Sequence, residues 1–462
     1  MKKIAFVVVL LIVMGALAAP KLIGDSAHEQ YLKSFEEYPL GTSGIRFEQR
    51  SYEQSWFSSQ AVTVMKIPLG SPEVKDFSVV LTSHIGHGPL VSTDKGMALG
   101  LAYVKSNVTL AGLPDAAQKL ADKYVPAGTI TNASLIGFHQ LSYDAMHVGS
   151  IKFGNDKTTA VFGGMNLTGV SKQDYSLAQA RIELPASHLA ANNTVLDIAD
   201  ASGNYDLHKH GDMMLGNAEL NFPQIKFAGQ QGAVTLEDFR IASNSEEQTG
   251  KLNMAASFGV RKITAPVPVT AFQYDFEAKQ VDEKAIALWG EISRDMRAKQ
   301  GDPAAALNNP KMNQFLELLL QKDVELNQKF TLDGMGGRMN IDWDTRFTGL
   351  PEGVHIEGMT DKSQLLKAVD MHVSVNVDEK VLMATPLGGM VAPYIQKGMI
   401  AKQGDKLVAD IKLALGVLTV NGIPVPLPAE GANKQEQSGA APGASAAPVP
   451  LQMPRGKKMR HS

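Results

Sequence analysis

The strongest constraint in this chain is a two-residue periodicity. Leu252, Met254, Ala256, Phe258 and Val260 share one parity, while Asn253, Ser257 and Gly259 take the other. Met339, Ile341, Trp343, Thr345 and Phe347 oppose Asn340, Asp342, Asp344 and Arg346. Met371, Val373, Val375 and Val377 oppose His372, Ser374, Asn376 and Asp378. Leu407, Ala409, Ile411, Leu413 and Leu415 stand against Asp410 and Lys412. Successive side chains of a strand point to opposite faces, so each run predicts a strand with one apolar and one wet face. That pattern suits antiparallel sheets covered on one side. The chain is 44 % apolar and 20 % charged, enough to bury a core and too apolar for a wholly disordered protein.

Helical spacing interrupts the strands. Residues 281–300 and 303–329 predict helices: Phe315, Leu316, Leu319 and Leu320 repeat at helical intervals, and Asp302-Pro303 supplies an N-cap followed by proline at the first helical position. Shorter helices are expected near 113–123, 186–200, 361–369 and 386–399, and a polar one over 24–38. From Ala429 the chain turns rich in Ala, Pro, Gly, Gln and Ser and has no Phe, Trp or Tyr. Such a segment cannot offset chain entropy by burial and is expected to be disordered. Its basic end (Arg455, Lys457, Lys458, Arg460) reads as a solubilising tail or as a tether to an anionic surface. The expected organisation is therefore 1–23 as an export segment, 24–428 as a mostly-β body with a helical insertion near 281–329, and 429–462 as a tail. The fold class is mainly β with inserted helices (α+β), built as an extended antiparallel sheet or a curved β-groove.

Lys2 and Lys3 precede an unbroken apolar run of 16 residues, Ile4–Ala19, which Pro20 and Lys21 end. A positive start followed by a short apolar stretch is an export signal. Two outcomes stay open. Ala16-Leu17-Ala18 offers a small-residue cleavage site that would release a soluble periplasmic protein. Alternatively the segment stays as an anchor, with the lysines held in the cytoplasm and Leu22 and Ile23 extending it toward the ~20 residues a span needs. The anchor is the favoured reading: a single pass through a membrane with the body outside the cytoplasm.

The layout resembles a family. Ala19-Pro20 and Ile23-Gly24 at the exit of the apolar run are followed by Ser51-Tyr52-Glu53-Gln54-Ser55-Trp56-Phe57-Ser58-Ser59 in an early strand pair. Later come Gln328-Lys329-Phe330-Thr331-Leu332-Asp333 and the closing Gly416-Val417-Leu418-Thr419-Val420-Asn421-Gly422. This order over about 20–425 resembles the YdgA-like proteins of Gram-negative bacteria, a family of unknown function with an N-terminal membrane anchor and a periplasmic body. Val281-Asp282 stands where the family often has Leu-Asp. The resemblance implies location and fold, and it carries over no catalytic residue.

Chemistry is sparse. With no cysteine, disulfides, thiolate metal sites and cysteine nucleophiles are excluded. The 44 basic and 47 acidic residues nearly balance, which argues against a nucleic-acid binder. No Gly-x-Ser-x-Gly, His-Glu-x-x-His, P-loop or Gly-x-Gly-x-x-Gly pattern is present. Ser92-Thr93-Asp94-Lys95 has the Ser-x-x-Lys spacing but sits before Gly96, where a turn is expected. Asp206, His208, His210 and Asp212 share one strand face; they could ligate zinc or copper, and otherwise line a solvated strand edge. His84 and His87 flank Gly86 on opposite strand faces and read as loop or edge residues. Asp342 and Asp344 share a face as paired carboxylates can in glycosidases, yet Arg346 continues the row as a water-facing ladder. Trp56-Phe57 reads as sheet packing or as a sugar-stacking platform.

The expectation is a non-enzymatic cell-envelope protein. It would have no catalytic residue, metal or cofactor, and would hold lipid or another apolar ligand in a sheet groove. Its partners would be the inner membrane, through the N-terminal segment, and lipid or an envelope protein. Two other readings stand beside it: a protein-interaction scaffold with a closed core, and a periplasmic hydrolase. The 20 methionines suit an adaptable apolar surface or plain core filling.

Overall fold

The computed structural model describes residues 19–21, 23–24, 46–67, 77–155, 157–172, 174–211, 213–230, 232–266, 268–298, 310–350, 355–356, 363–385 and 388–426. Most of the export segment, residues 25–38 of the expected polar helix and the tail from 429 lie outside the described residues. Among the described residues, no helix is long and apolar enough to cross a membrane.

The described residues form one 24-stranded antiparallel sheet. It opens with β1 (Arg46–Gln54), β2 (Ser58–Ile67) and β3 (Phe77–His87). A separate hairpin follows, β4 (Leu90–Thr93) and β5 (Gly96–Leu99), before β6 (Ala102–Ala111) returns to the sheet beside β3. Helix α1 (Asp115–Tyr124) then leads to β7 (Ile130–Ile136). Four long strands come next, each broken in two: β8 (Leu141–Val148) with β9 (Ile151–Asn155), β10 (Thr158–Phe162) with β11 (Met165–Lys172), β12 (Ala178–Leu184) with β13 (Ser187–Ala191), and β14 (Thr194–Ile198) with β15 (Ala201–His210). The unbroken β16 (Met213–Gly229), β17 (Gly232–Gln248), β18 (Lys251–Thr264) and β19 (Val269–Asp282) follow. Helices α2 (Glu283–Ala298) and α3 (Pro310–Leu319) separate them from β20 (Glu325–Gly334) and β21 (Gly337–Phe347). The chain ends with α4 (Ser363–Lys367), β22 (Val369–Asp378), α5 (Glu379–Met383), α6 (Val391–Gln396), β23 (Ala401–Gln403), β24 (Lys406–Ala414), β25 (Val417–Val420) and β26 (Ile423–Val425).

With each broken strand counted as one, the pairing is sequential except that β3 pairs with β6 past the separate hairpin and β22 pairs with β24 past β23. β1 pairs with β2, β2 with β3, β3 with β6, and so on through β22 with β24 to β25 with β26. Broken strands keep one register: Thr158 faces Ala191 while Asn166 faces Glu183, so no residue is inserted at the break. Two-residue links with positive φ at both positions close many of the hairpins: Asn192-Asn193, Thr249-Gly250, Met335-Gly336, Leu415-Gly416 and Asn421-Gly422. This is the φ signature of turns whose twist matches that of the strands they join.

Two buried clusters sit far apart in the chain. Ala61, Ile85 and Ala102 form one, with Tyr52, Val104 and Ile136 against it. Ala278, Val281, Ala285, Leu320, Val324 and Phe347 form the other, where α2 and α3 close over the ends of β19 to β21, with Trp289 and Phe315 rings 5.2 Å apart.

The structure corrects several helix expectations. Residues 186–200 hold strands β13 and β14, because Asn192 and Asn193 turn the chain in the left-handed region. The expected helix 303–329 is helical only from Pro310 to Leu319 in its described part, and Glu325–Gly334 is a strand. There Leu326, Phe330 and Leu332 alternate with Asn327, Lys329 and Thr331, and the sheet register outweighs the helical spacing that precedes them. In the 361–369 region only Ser363–Lys367 is helical, and Val369 already starts a strand.

Candidate functional site

Register decides which side chains share a face, because directly paired residues point the same way. Across β16 to β24 the pairs Phe222–Phe239, Ile241–Phe258, Phe258–Tyr274, Tyr274–Phe330, Phe330–Ile341, Ile341–Val375 and Val375–Ala409 carry one apolar face without interruption. The neighbouring row does the same through Val260–Phe272, Phe272–Leu332 and Leu332–Met339. Rings meet across strands on this face: Phe222 and Phe239 stack at 5.9 Å, and Phe258 lies 5.7 Å from Phe272 and 5.2 Å from Tyr274. Tyr274 donates its hydroxyl hydrogen to Gln328 Oε1 at 2.9 Å, and the Trp343 indole N–H donates to Thr345 Oγ1 at 2.9 Å. The polar tips of these rings are thus satisfied along the sheet.

This face is covered only in part. At one end of the strands, Val281 is fully buried in the α2–α3 cluster, and Leu252, its partner across β18 and β19, is fully buried beside it. Midway, Ile241, Phe258 and Trp343 are 43, 42 and 41 % exposed. Burial of a large apolar side chain stabilises by roughly 1.5–3 kcal/mol, so a row of rings left half in water forgoes much of that gain. A contiguous apolar patch of this kind marks a surface that meets something else.

The opposite face is polar and carries a shallow concavity of ≈ 800 Å³ lined by Asn204, Glu219, Arg240, Asp275, Glu277 and Asp342 among others. Its lining carries more carboxylates than cations, and part of the charge is paired. Arg240 pairs with Glu219 at 2.9 Å, Lys329 lies 3.7 Å from Asp342, and Arg338 pairs with Asp333. The Arg338 hydrogen bond holds the Asp333 carboxyl below its usual range. The Lys412 hydrogen bond, helped by His372, does the same for Asp410, whose Oδ1 lies 2.5 Å from His372 Nε2.

The residues singled out in the sequence fall as follows. Ser92 and Thr93 end β4, and Asp94-Lys95 form a turn, with Asp94 taken up by Lys105 at 2.7 Å. Asp206, His208 and His210 share the polar face of β15; β12 flanks the strand as far as Leu207, so His208 and His210 pair with β16 alone. His210 bonds Glu283 at 2.7 Å and Asp206 accepts from Gln179 at 3.0 Å, so the row is drawn apart; Asp212 lies outside the described residues. Among the described residues no three His, Asp or Glu side chains gather to hold a metal. Asp342 and Asp344 lie on the polar face of β21 in the expected charged ladder. Trp56 and Phe57 are exposed in the β1–β2 turn.

His84 and His87 are not at an edge: both lie on β3, held between β2 and β6. His87 is 3 % exposed, and its Nε2 is 2.8 Å from the buried Ser59 hydroxyl. The signal was present, since His87 shares parity with Ile85 and faces the Ala61–Ile85–Ala102 core. The aromatic face was legible strand by strand, but its continuity required the register.

A family model described as a bacterial protein of unknown function (DUF945) matches residues 1–428. No curated protein and no solved structure matches the chain.

Proposed function

This chain belongs to the DUF945 family of bacterial proteins of unknown function, and from that premise we propose that it is a non-enzymatic cell-envelope protein that holds lipid on the apolar face of its sheet. Its setting is that of the YdgA-like proteins it resembles: residues 4–19 anchor it in the inner membrane and the body lies in the periplasm. The observation that carries this reading is the half-exposed apolar set Ile241, Phe258 and Trp343 on that face. Acyl chains suit such a surface, since each buried methylene contributes about 0.8 kcal/mol and no directional chemistry is needed.

The test is lipid content. The full chain, purified in mild detergent and washed, should carry phospholipid in near-stoichiometric amount by mass spectrometry of the extract. Ile241→Ser with Phe258→Ser should lower it several-fold without changing the circular dichroism. A lipid-free wild-type protein, or a variant that keeps its lipid, would sink the reading. In that event the same face would be better understood as the seat of a protein partner, the scaffold reading.

A further inference from the structure

The β1–β2 turn, the β4–β5 hairpin and the β7–β8 turn occupy one end of the sheet, because alternate links of an antiparallel meander share an end. Hydrogen bonds tie them together there. His87 N–H donates to Phe57 O at 2.8 Å, Gly100 N–H to Pro89 O at 3.0 Å, and Leu101 N–H to Ile136 O at 2.7 Å. Trp56, Phe57, Leu90, Met97, Leu99 and Phe138 project from these links with exposures between 51 and 71 %. The hairpin is the most telling part. Leu90 faces Leu99 and Ser92 faces Met97 on its outer side, while Val91, only 2 % exposed, and Ala98 turn toward the sheet. A two-stranded hairpin that already buries its inner side has no folding reason to carry three large apolar residues outward.

The N-terminal segment reaches the sheet at this same end. Residues 19–21 and 23–24 are helical, and Gly24 is buried so closely that a Cβ there would lie 2.5 Å from His87 Cε1 and 2.8 Å from Gln54 Nε2. Gly24 lies five positions after Ala19, the end of the apolar run, a path of about 8 Å at the 1.5 Å helical rise. With Ile4–Ala19 in a bilayer, the exposed links lie at headgroup depth, the zone that tryptophan and other aromatic side chains favour.

We propose that Trp56-Phe57, the outer side of the β4–β5 hairpin and Phe138 form a rim seated in the headgroup layer of a phospholipid bilayer, holding this end of the sheet on the membrane. The inference rests on the anchor reading above and goes beyond it by giving the body its own lipid contact. It fixes which end of the sheet faces lipid, independently of what the aromatic face carries.

The chain contains three tryptophans, Trp56, Trp289 and Trp343, so Trp289→Phe with Trp343→Phe leaves Trp56 as sole reporter. The full chain carrying both changes is reconstituted in phosphatidylcholine–phosphatidylglycerol vesicles. Trp56 emission should be blue-shifted and quenched at least twofold by phospholipid brominated near the headgroup, and less by phospholipid brominated deeper. Adding Leu90→Ser, Met97→Ser and Leu99→Ser should remove most of that quenching. Unquenched, water-like emission from protein that still sediments with vesicles after alkaline washing overturns the rim and leaves the anchor standing. Failure to sediment overturns both. Retained quenching in the triple-serine variant overturns the hairpin's part in the rim.

Discussion

Leu252 and Phe258 stand on the same face of one strand and meet different surroundings. Leu252 is fully buried and paired with Val281 of the α2–α3 cluster, whereas Phe258 is 42 % exposed. Leu252→Ala removes packed atoms and leaves a cavity, so it should destabilise by about 2–5 kcal/mol, read as a lower denaturation midpoint. A shift of under 1 kcal/mol would show that the α2–α3 cover is not a real core. Asp282 makes a second prediction. Burial pushes its carboxyl up, but the Lys251 hydrogen bond at 3.0 Å, the Lys284 backbone N–H and the charges of both lysines outweigh burial and hold it below the usual range. A depressed folded value means that its stabilising contribution is complete above the unfolded carboxylate range near pH 4 and is lost as pH falls through the folded value. Asp282→Asn should therefore be less stable than wild type at pH 7, and the gap should close as the pH drops toward 2. A gap that is constant with pH would show that the carboxylate contributes nothing through its charge.

At the scale of elements, the broken strands share one line of interruption. By the register of the flanking pairs, Gly149, Gly164, Pro185, Asp200, Pro223 and Asp238 face one another in succession across β8 to β17. Each weakens the ladder in its own way. Prolines lack an N–H to give, Asp238 sits at φ 51°, and Gly164 sits at φ 109°. Apolar parity changes at this line. In β16 Leu220 and Phe222 lie below it and Ile225 and Phe227 above; in β17 Phe239 and Ile241 answer Leu236 and Val234. Alternation read from sequence carries no mark of such a change, because one line of kinks shifts the parity of every strand it crosses. Hairpin closure was more legible, since Asn-Gly and Asn-Asn are turn signals in their own right. Residues 186–200 are strands and not the expected helix because Asn192-Asn193 reverse the chain there. Gly164→Ala tests the line. A Cβ at that residue would lie 2.5 Å from the Val148 carbonyl oxygen at a φ that alanine avoids, so a loss of about 1–3 kcal/mol is expected. A neutral midpoint would mean the line tolerates a side chain and is not a fixed feature.

With each broken strand counted as one, the described sheet is a ribbon in which strands pair with their chain neighbours, β3–β6 and β22–β24 apart, and this shapes both its edges and its stability. The edges are protected: β1 carries a bulge at Arg50, and β26 is short and includes Pro424, which cannot donate to a further strand. Association by edge pairing is thereby discouraged, which leaves the faces as the surfaces for binding. The alternation of single strands forecast a large half-apolar sheet. Strand order could not be read, because an alternating ribbon fits either neighbour equally well until turns and register choose. Stability should follow the same local logic, approximating a sum over neighbouring strands rather than one global core. The buried clusters lie around β2, β3 and β6 and around β18 to β21, while β9, β10, β13 and β14 contain no buried residue. Hydrogen exchange read by mass spectrometry should then be graded. Amides of β3 and of β18–β19 near Leu252 should exchange last, and those of β9, β10, β13 and β14 should exchange well before them. Denaturant should lower protection in the same order, in more than one step. A single cooperative exchange envelope spanning all of these strands would require a shared core that a sequentially paired, one-layered ribbon does not possess.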